Sequence, residues 1–142
     1  MNDLLNLKSA RVLVTGANGF IGSHLVDKLL ASGFTVHGLV RGSSSLKWLD
    51  ASKVHLHQVD LSQADFVVPA LENFDYIFHC AGLTKAKSRS DYFQVNATAC
   101  SNLYGQCQKR GRRIKGIVHL SSLAATGPSP RGSHVDETSP CR

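Results

Sequence analysis

The sequence predicts an α/β fold, a doubly wound parallel sheet of five strands in the order 3-2-1-4-5 with helices on both faces. Three observations predict it. Apolar runs rich in β-branched residues recur at Arg11–Thr15, Thr35–Val40, Val54–Val59, Asp75–His79 and Ile114–Leu120. Helical or turn-like segments separate these runs, the pattern of successive βαβ units whose strands are buried on both faces. Finally, a glycine-rich turn, Gly16-Ala17-Asn18-Gly19-Phe20-Ile21-Gly22, joins the first strand to an amphipathic helix.

The first helix is the clearest element after the strands. Ile21, Leu25, Leu29 and Leu30 are placed to share one face, and Gly33 supplies the stop. A second long helix is expected from Ser90 to Arg110, closed by Gly111. Ser44–Leu49 and Gln63–Leu71 read as short helices, the latter disturbed by Pro69. No internal repeat or low-complexity tract is present. The stretch 127–133 reads as loop, and five strands ending there leave an open sheet edge that a complete domain would extend or cover. The expectation is a polypeptide cut short.

The 142 residues suit one domain, residues 1–142, and 42% hydrophobic with 18% charged residues is the composition of a globular protein. No apolar stretch approaches the ~20 residues needed to span a bilayer, and Met1-Asn2-Asp3 lacks a basic leader, so the expectation is a cytoplasmic protein that engages no membrane. Cys80, Cys100, Cys107 and Cys141 form no C-x-x-C pair and read as free thiols; no metal site is expected. Much of the +6 net charge sits in Lys109, Arg110, Arg112, Arg113 and Lys115, at the end of a helix where cations complement the macrodipole and stay solvated. With no aromatic platform beside them, no nucleic-acid partner is expected.

The glycine turn carries the chemistry. Gly16 permits a tight turn, Gly19 lets the backbone approach a pyrophosphate, and Gly22 allows helix and strand to pack closely, while the helix amino terminus offers unpaired N–H groups to phosphate. This defines a Rossmann-type dinucleotide site. An acidic residue at the end of the second strand would bind the ribose 2′-OH of NAD(H), but the text there is Leu39-Val40-Arg41-Gly42-Ser43-Ser44. Arg41, helped by Ser43 or Ser44, suits a 2′-phosphate instead, so NADP(H) is favoured and NAD(H) is the alternative cofactor.

The run Val14-Thr15-Gly16-Ala17-Asn18-Gly19-Phe20-Ile21-Gly22-Ser23-His24-Leu25 resembles the extended short-chain dehydrogenase/reductase family, the NAD(P)-dependent epimerase, dehydratase and reductase group. Val59-Asp60-Leu61, His79-Cys80-Ala81-Gly82 and Val118-His119-Leu120-Ser121-Ser122-Leu123-Ala124 agree with it in order and spacing. The resemblance implies that Gly16, Asn18, Gly19, Phe20, Ile21 and Gly22 hold the cofactor. It further implies that Asp60 bonds the adenine amino group beside Leu61, and that Ala81 and Gly82 run under the ribose. Asn96 would help shape the site, Ser121 would lie near the nicotinamide, and Ser122 would hold the reacting oxygen of the substrate. Each has a plainer reading: Asp60 as a turn initiator, Asn96 as an exposed helical residue, Ser122 as a turn serine.

The family's acid/base is a Tyr with a Lys four residues on. Here Tyr76, Tyr92 and Tyr104 are followed four residues on by Cys80, Asn96 and Gln108. The resemblance therefore implies a chain that ends before the catalytic helix and is inactive by itself, from a parent, homodimeric in the family's usual way, that transfers hydride between NADP(H) and a carbonyl or secondary alcohol. Leu39-Val40-Arg41 and residues 121–128 look more like the dihydroflavonol-reductase and hydroxysteroid-dehydrogenase branch than the nucleotide-sugar epimerases and dehydratases. A non-catalytic dinucleotide sensor is the alternative from outside the enzymes.

Overall fold

The computed structural model describes residues 9–63, 65–129 and 134–141. Its strands β1 (Arg11–Thr15), β2 (Thr35–Val40), β3 (His55–Gln58), β4 (Tyr76–His79) and β5 (Gly116–His119) make one sheet. Every pairing is parallel and the order is β3-β2-β1-β4-β5, the Rossmann-type topology expected. The bounds of β1 and β2 are those the apolar runs predict, and the other three strands are shorter by one or two residues at an end. Part of the expected loop 127–133 lies outside the described residues.

Parallel register sends alternate residues of neighbouring strands to the same side, which gives the sheet two cores. Leu13, Leu39 and Ile77 join Phe66, Val68, Leu71, Phe74 and Leu103 on one face. Val12, Val14 and Val36 join Val26, Leu29 and Leu49 on the other. Helix α1 (Phe20–Ala31) covers the second face through Val26 and Leu29. The face read from the sequence holds for Leu29, which is buried, and for Leu25 and Leu30, which pack against this core, but not for Ile21, which is 53% exposed. The buried stripe instead includes Gly22, whose bare Cα packs against the carbonyl of Gly16.

The long helix expected at Ser90–Arg110 is three pieces in continuous succession. Helix α2 (Arg89–Phe93), capped by the Ser88 hydroxyl accepting from the Asp91 N–H, runs into a π-helical turn at Gln94–Thr98 and then α3 (Ala99–Arg110). Two expected short helices do not form among the described residues. Ser44–Leu49 makes single turns, closed by Ser44 N–H to Arg41 C=O and Leu49 N–H to Leu46 C=O, in a Gly- and Ser-rich stretch of poor helix propensity. At Gln63–Leu71 the backbone is held from outside: Gln106 of α3 accepts from the Val68 N–H at 3.0 Å and donates to the Phe66 carbonyl at 2.9 Å. Those groups are thereby unavailable to a helix, and only a short 3₁₀ turn at Leu71–Asn73 remains.

The basic cluster is more structural than a solvated helix end. At the amino-terminal edge of the sheet Asp75, 2% exposed, accepts from the Arg11 N–H at 2.9 Å and from Arg113 Nε at 3.0 Å, with Lys115 Nζ at 3.5 Å. Burial pushes the Asp75 carboxyl up, but the hydrogen bonds from Arg113 and the Arg11 backbone, with the charges of Arg113 and Lys115, outweigh it and hold the group below the usual carboxylate range. Arg110 pairs with Glu72 and donates to the Val68 carbonyl.

A second polar cluster lies on the α3 side of β2 and β3. His37 Nδ1 is 2.9 Å from His57 Nε2, the His37 ring stacks on His55 and His57, and His37 Nε2 is buried with no partner among the described residues. Burial, with His55 and His57 beside it, lowers His37 from 6.5 to about 4, and burial lowers His57 as well. The unfolded chain therefore binds more protons than the fold between about pH 6.5 and 4, so stability falls as the pH drops through that window. The loss expected from His37 alone is on the order of 2–3 kcal/mol. Urea midpoints at pH 7 and pH 4.5 measure it, and His37→Phe should reduce the difference without removing it, because His79, also lowered to about 4, contributes in the same window; an unchanged pH dependence in that variant would assign the effect elsewhere.

Candidate functional site

At the carboxyl end of the sheet the ends of β1, β2 and β4 and the residues just after β3 surround a cleft of about 220 Å³. Parallel strands of this order leave such a crevice where the chain leaves β1 in one direction and β4 in the other. Gly16, Asn18 and Gly19 form its floor, Arg41 and Ser44 one side, Asp60 and Leu61 another, and Ala81 and Gly82 the third.

The floor is built by close approach. Gly16 has φ +66°, and a Cβ there would lie 2.9 Å from the Ala81 backbone, so the turn and the β4 loop touch through bare backbone. The Gly19 N–H donates to the Gly16 carbonyl at 3.0 Å, and Gly19 then caps α1 with no side chain satisfying the first-turn N–H groups. Those donors and the positive end of the helix dipole are what an anion needs. Asn18 Nδ2 donates to the Ser45 carbonyl and ties the turn to the loop after β2. The residues present thus fit a phosphate-bearing dinucleotide.

Thr15 is a positioning residue that sequence reasoning passed over. Its buried hydroxyl accepts from the Ala81 N–H at 3.1 Å and lies 2.7 Å from His79 Nδ1, so one side chain at the end of β1 fixes the loop leaving β4. Burial, with the charge of neighbouring His119, lowers His79 to about 4, and the ring is neutral at pH 7. Asn96, in the π-helical turn, clamps the same loop by accepting from the Leu83 N–H at 2.8 Å and donating to the Leu83 carbonyl at 2.9 Å. It is a loop clamp rather than an exposed helical residue, and its neighbour Val95 faces the cleft.

Asp60 is the turn initiator of its plainer reading and stands in the cleft as well. It accepts from the Ser62 N–H at 2.9 Å and the Ser62 hydroxyl at 2.7 Å. The Ser62 hydrogen bonds and, more weakly, the charge of Arg41 hold it below the ordinary carboxylate range. Cys80 lines the cleft too, its thiol pushed up by burial and therefore protonated.

Several residues singled out by sequence lie outside this cleft. Phe20 and Ile21, 74% and 53% exposed, stand on the first turn of α1, and Gly22 supports the turn from behind. Of the two candidate serines after β2 it is Ser44, not Ser43, that lines the cavity. Ser121 and Ser122 follow β5 and are exposed. Ser122 caps the 3₁₀ turn Leu123–Thr126 by accepting from the Ala124 N–H at 3.2 Å, which leaves its own proton free to donate. Leu39, Val40, Val59, Ser62, Leu83 and Val95 line the cleft without having been expected there; each adjoins a motif position or ends a strand.

Fold and cleft define a Rossmann-type domain with an anion-receiving glycine turn. The family model described as NAD dependent epimerase/dehydratase family matches residues 12–142, and the chain belongs to that family. It is 32% identical over 123 residues to sterol demethylase protein B of Methylococcus capsulatus, covering 85% of this chain and 37% of that protein. It is 31% identical over 144 residues to a 3 beta-hydroxysteroid dehydrogenase/Delta 5-->4-isomerase of Mycobacterium tuberculosis, covering 96% and 38%. Among solved structures, the UDP-glucose 4-epimerase of Thermus thermophilus in complex with NAD superposes with a TM-score of 0.79 at 33% identity, covering 93% of this chain and 44% of that one. The chain thus spans less than half the length of these relatives.

Proposed function

We propose that residues 1–142 form the cofactor domain of an oxidoreductase that transfers hydride between NADP(H) and a carbonyl or secondary alcohol. The observation that carries the cofactor assignment is Arg41. It follows β2 where an NAD-selective acid would stand and lines the same cleft as the glycine turn, and apart from the weak pull of its charge on Asp60 its side chain makes no hydrogen bond or ion pair to another described residue. Its guanidinium fork is free to take a 2′-phosphate. The NAD complex of the Thermus epimerase supports a nicotinamide dinucleotide in this fold. Similarity to the mycobacterial hydroxysteroid dehydrogenase supports the dehydrogenase branch.

In this reading the α1 amino terminus and Gly19 hold the pyrophosphate, Asp60 and Leu61 the adenine, and Ala81 and Gly82 the ribose. The bound dinucleotide supplies or accepts the hydride. Ser122, whose lone pair caps the 3₁₀ turn, directs its proton to the substrate oxygen and stabilises charge developing there. Ser121 stands beside it. The proton donor is not among these 142 residues, because no Tyr is followed four residues on by Lys.

Calorimetric titration with NADPH and NADH tests the assignment. NADPH is expected to bind more tightly, and Arg41→Ala to narrow the gap by about 1–3 kcal/mol, the scale of a hydrogen bond to a charged group. Equal affinities in the unmutated chain would remove Arg41 from the cofactor site. Likeness to the UDP-glucose 4-epimerase favours a second reading, a nucleotide-sugar epimerase or dehydratase. Protection of the full-length protein by a UDP- or dTDP-sugar would select it.

A further inference from the structure

We propose that His79, Cys100 and His119 form a site for a zinc ion, behind the cofactor cleft and separate from it. His79 and His119 are register partners on adjacent parallel strands, so both rings leave the same face of the sheet, with centroids 5.3 Å apart. Cys100 lies in the first turn of α3, which packs on that face. One donor atom from each of the three residues lies within 4.8 Å of the other two.

What distinguishes this cluster from a chance meeting is its outer partners. His79 Nδ1 is 2.7 Å from the Thr15 hydroxyl, and His119 Nδ1 is 2.7 Å from the Tyr104 hydroxyl. Each ring therefore has one nitrogen engaged by a hydroxyl and Nε2 left over, the arrangement that fixes tautomer and orientation in metal-bound imidazoles. In His79 that second nitrogen is already 3.1 Å from Cys100 Sγ. Cys100 and Tyr104 stand four residues apart on α3, so one helix face supplies both a ligand and the hydroxyl that holds another ligand.

Two imidazoles and a thiol make a donor set for zinc rather than for magnesium or calcium, which take oxygen ligands. Bonds of about 2.0–2.3 Å at tetrahedral angles put ligand atoms roughly 3.5 Å apart, so the wider gaps must close by about 1 Å. His119 can make that movement, being exposed, and its open side leaves the fourth position to water. Binding is a simple exchange in which Zn²⁺ takes the place of the Cys100 thiol proton, the proton leaves to solvent, and no electron moves.

Cobalt(II) is the probe. Added to the chelator-free chain, it is expected to bind one per chain and to give the near-ultraviolet charge-transfer absorption of a thiolate–cobalt bond, which zinc then bleaches. Cys100→Ser should remove that absorption, while Cys80→Ser and Cys141→Ser retain it. His119→Ala, at an exposed position that the fold tolerates, should weaken zinc binding in a chelator competition, and Tyr104→Phe should weaken it about 10–100-fold. Absence of the charge-transfer band, its survival in Cys100→Ser, or unchanged zinc affinity in His119→Ala would each overturn the site, leaving the three residues as a hydrogen-bonded core.

Discussion

Gly19→Val is expected to lower dinucleotide affinity about 10- to 100-fold or more while the domain stays folded, the scale set by forcing 1–3 kcal/mol of overpacking into a filled site. Gly19 has φ −75° and ψ 170°, which any residue adopts, and an added Cβ meets only the Gly16 carbonyl at 3.2 Å. The fold can absorb that contact with a small shift. The rest of the side chain would enter the cleft that is proposed to hold the pyrophosphate. Gly22→Ala makes the contrast, because its Cβ would collide with the Gly16 oxygen and fall 2.9 Å from the Gly16 carbonyl carbon. Neither backbone atom can move without opening the turn, so the expected cost is about 3 kcal/mol or more of stability. Calorimetry with NADPH and urea unfolding of both variants separate the two effects. Wild-type affinity in a folded Gly19→Val would reduce the glycine turn to a structural device.

The second large effect is on turnover. With cofactor bound, the 142-residue chain is expected to reduce no ketone at a rate approaching that of an enzyme with its proton donor in place, since a positioned acid contributes about 10²–10⁴-fold. In the proposed reading Ser122 orients the substrate oxygen and does not replace that acid. The measurement is loss of NADPH absorbance with a panel of ketones, comparing this chain with an extended form that carries a Tyr-x-x-x-Lys. Turnover by the short chain that Ser122→Ala abolishes would show the missing acid to be unnecessary. Inactivity of the extended chain as well would favour a dinucleotide sensor.

Sequence reading succeeded where local residues decide the outcome. The bounds of β1 and β2 follow from β-branched runs that stop at Gly16 and Arg41, and the turn at Gly16–Gly22 is specified by glycines whose backbones are packed too closely for a side chain. It failed where a distant partner decides. The irregular path before Phe74 depends on Gln106, some forty positions along the chain. On α1 the leucines face the core as read, but Ile21 gives way to Gly22, whose packing on the Gly16 carbonyl the apolar pattern does not show. In strands buried on both sides, apolar pattern gives no facing signal, so nothing in the text announced that Thr15 would hold Ala81 or that three histidines would stack between β2 and β3. Nor could the text choose between Ser43 and Ser44, which differ only in how the turn after β2 is closed.

The ion cluster around Asp75 bears on how this domain can change. Asp75 gathers β1, β4 and the approach to β5 at one rim of the sheet, and the ligand-facing loops occupy the opposite rim. The cluster and the cleft have no lining residue in common, and substitutions at separated sites add rather than interact. Part of the domain's durability is thus set by residues that take no part in lining the cleft. The loops can be rewritten for a new ligand while the clasp at the far rim carries the burden of holding the strands together.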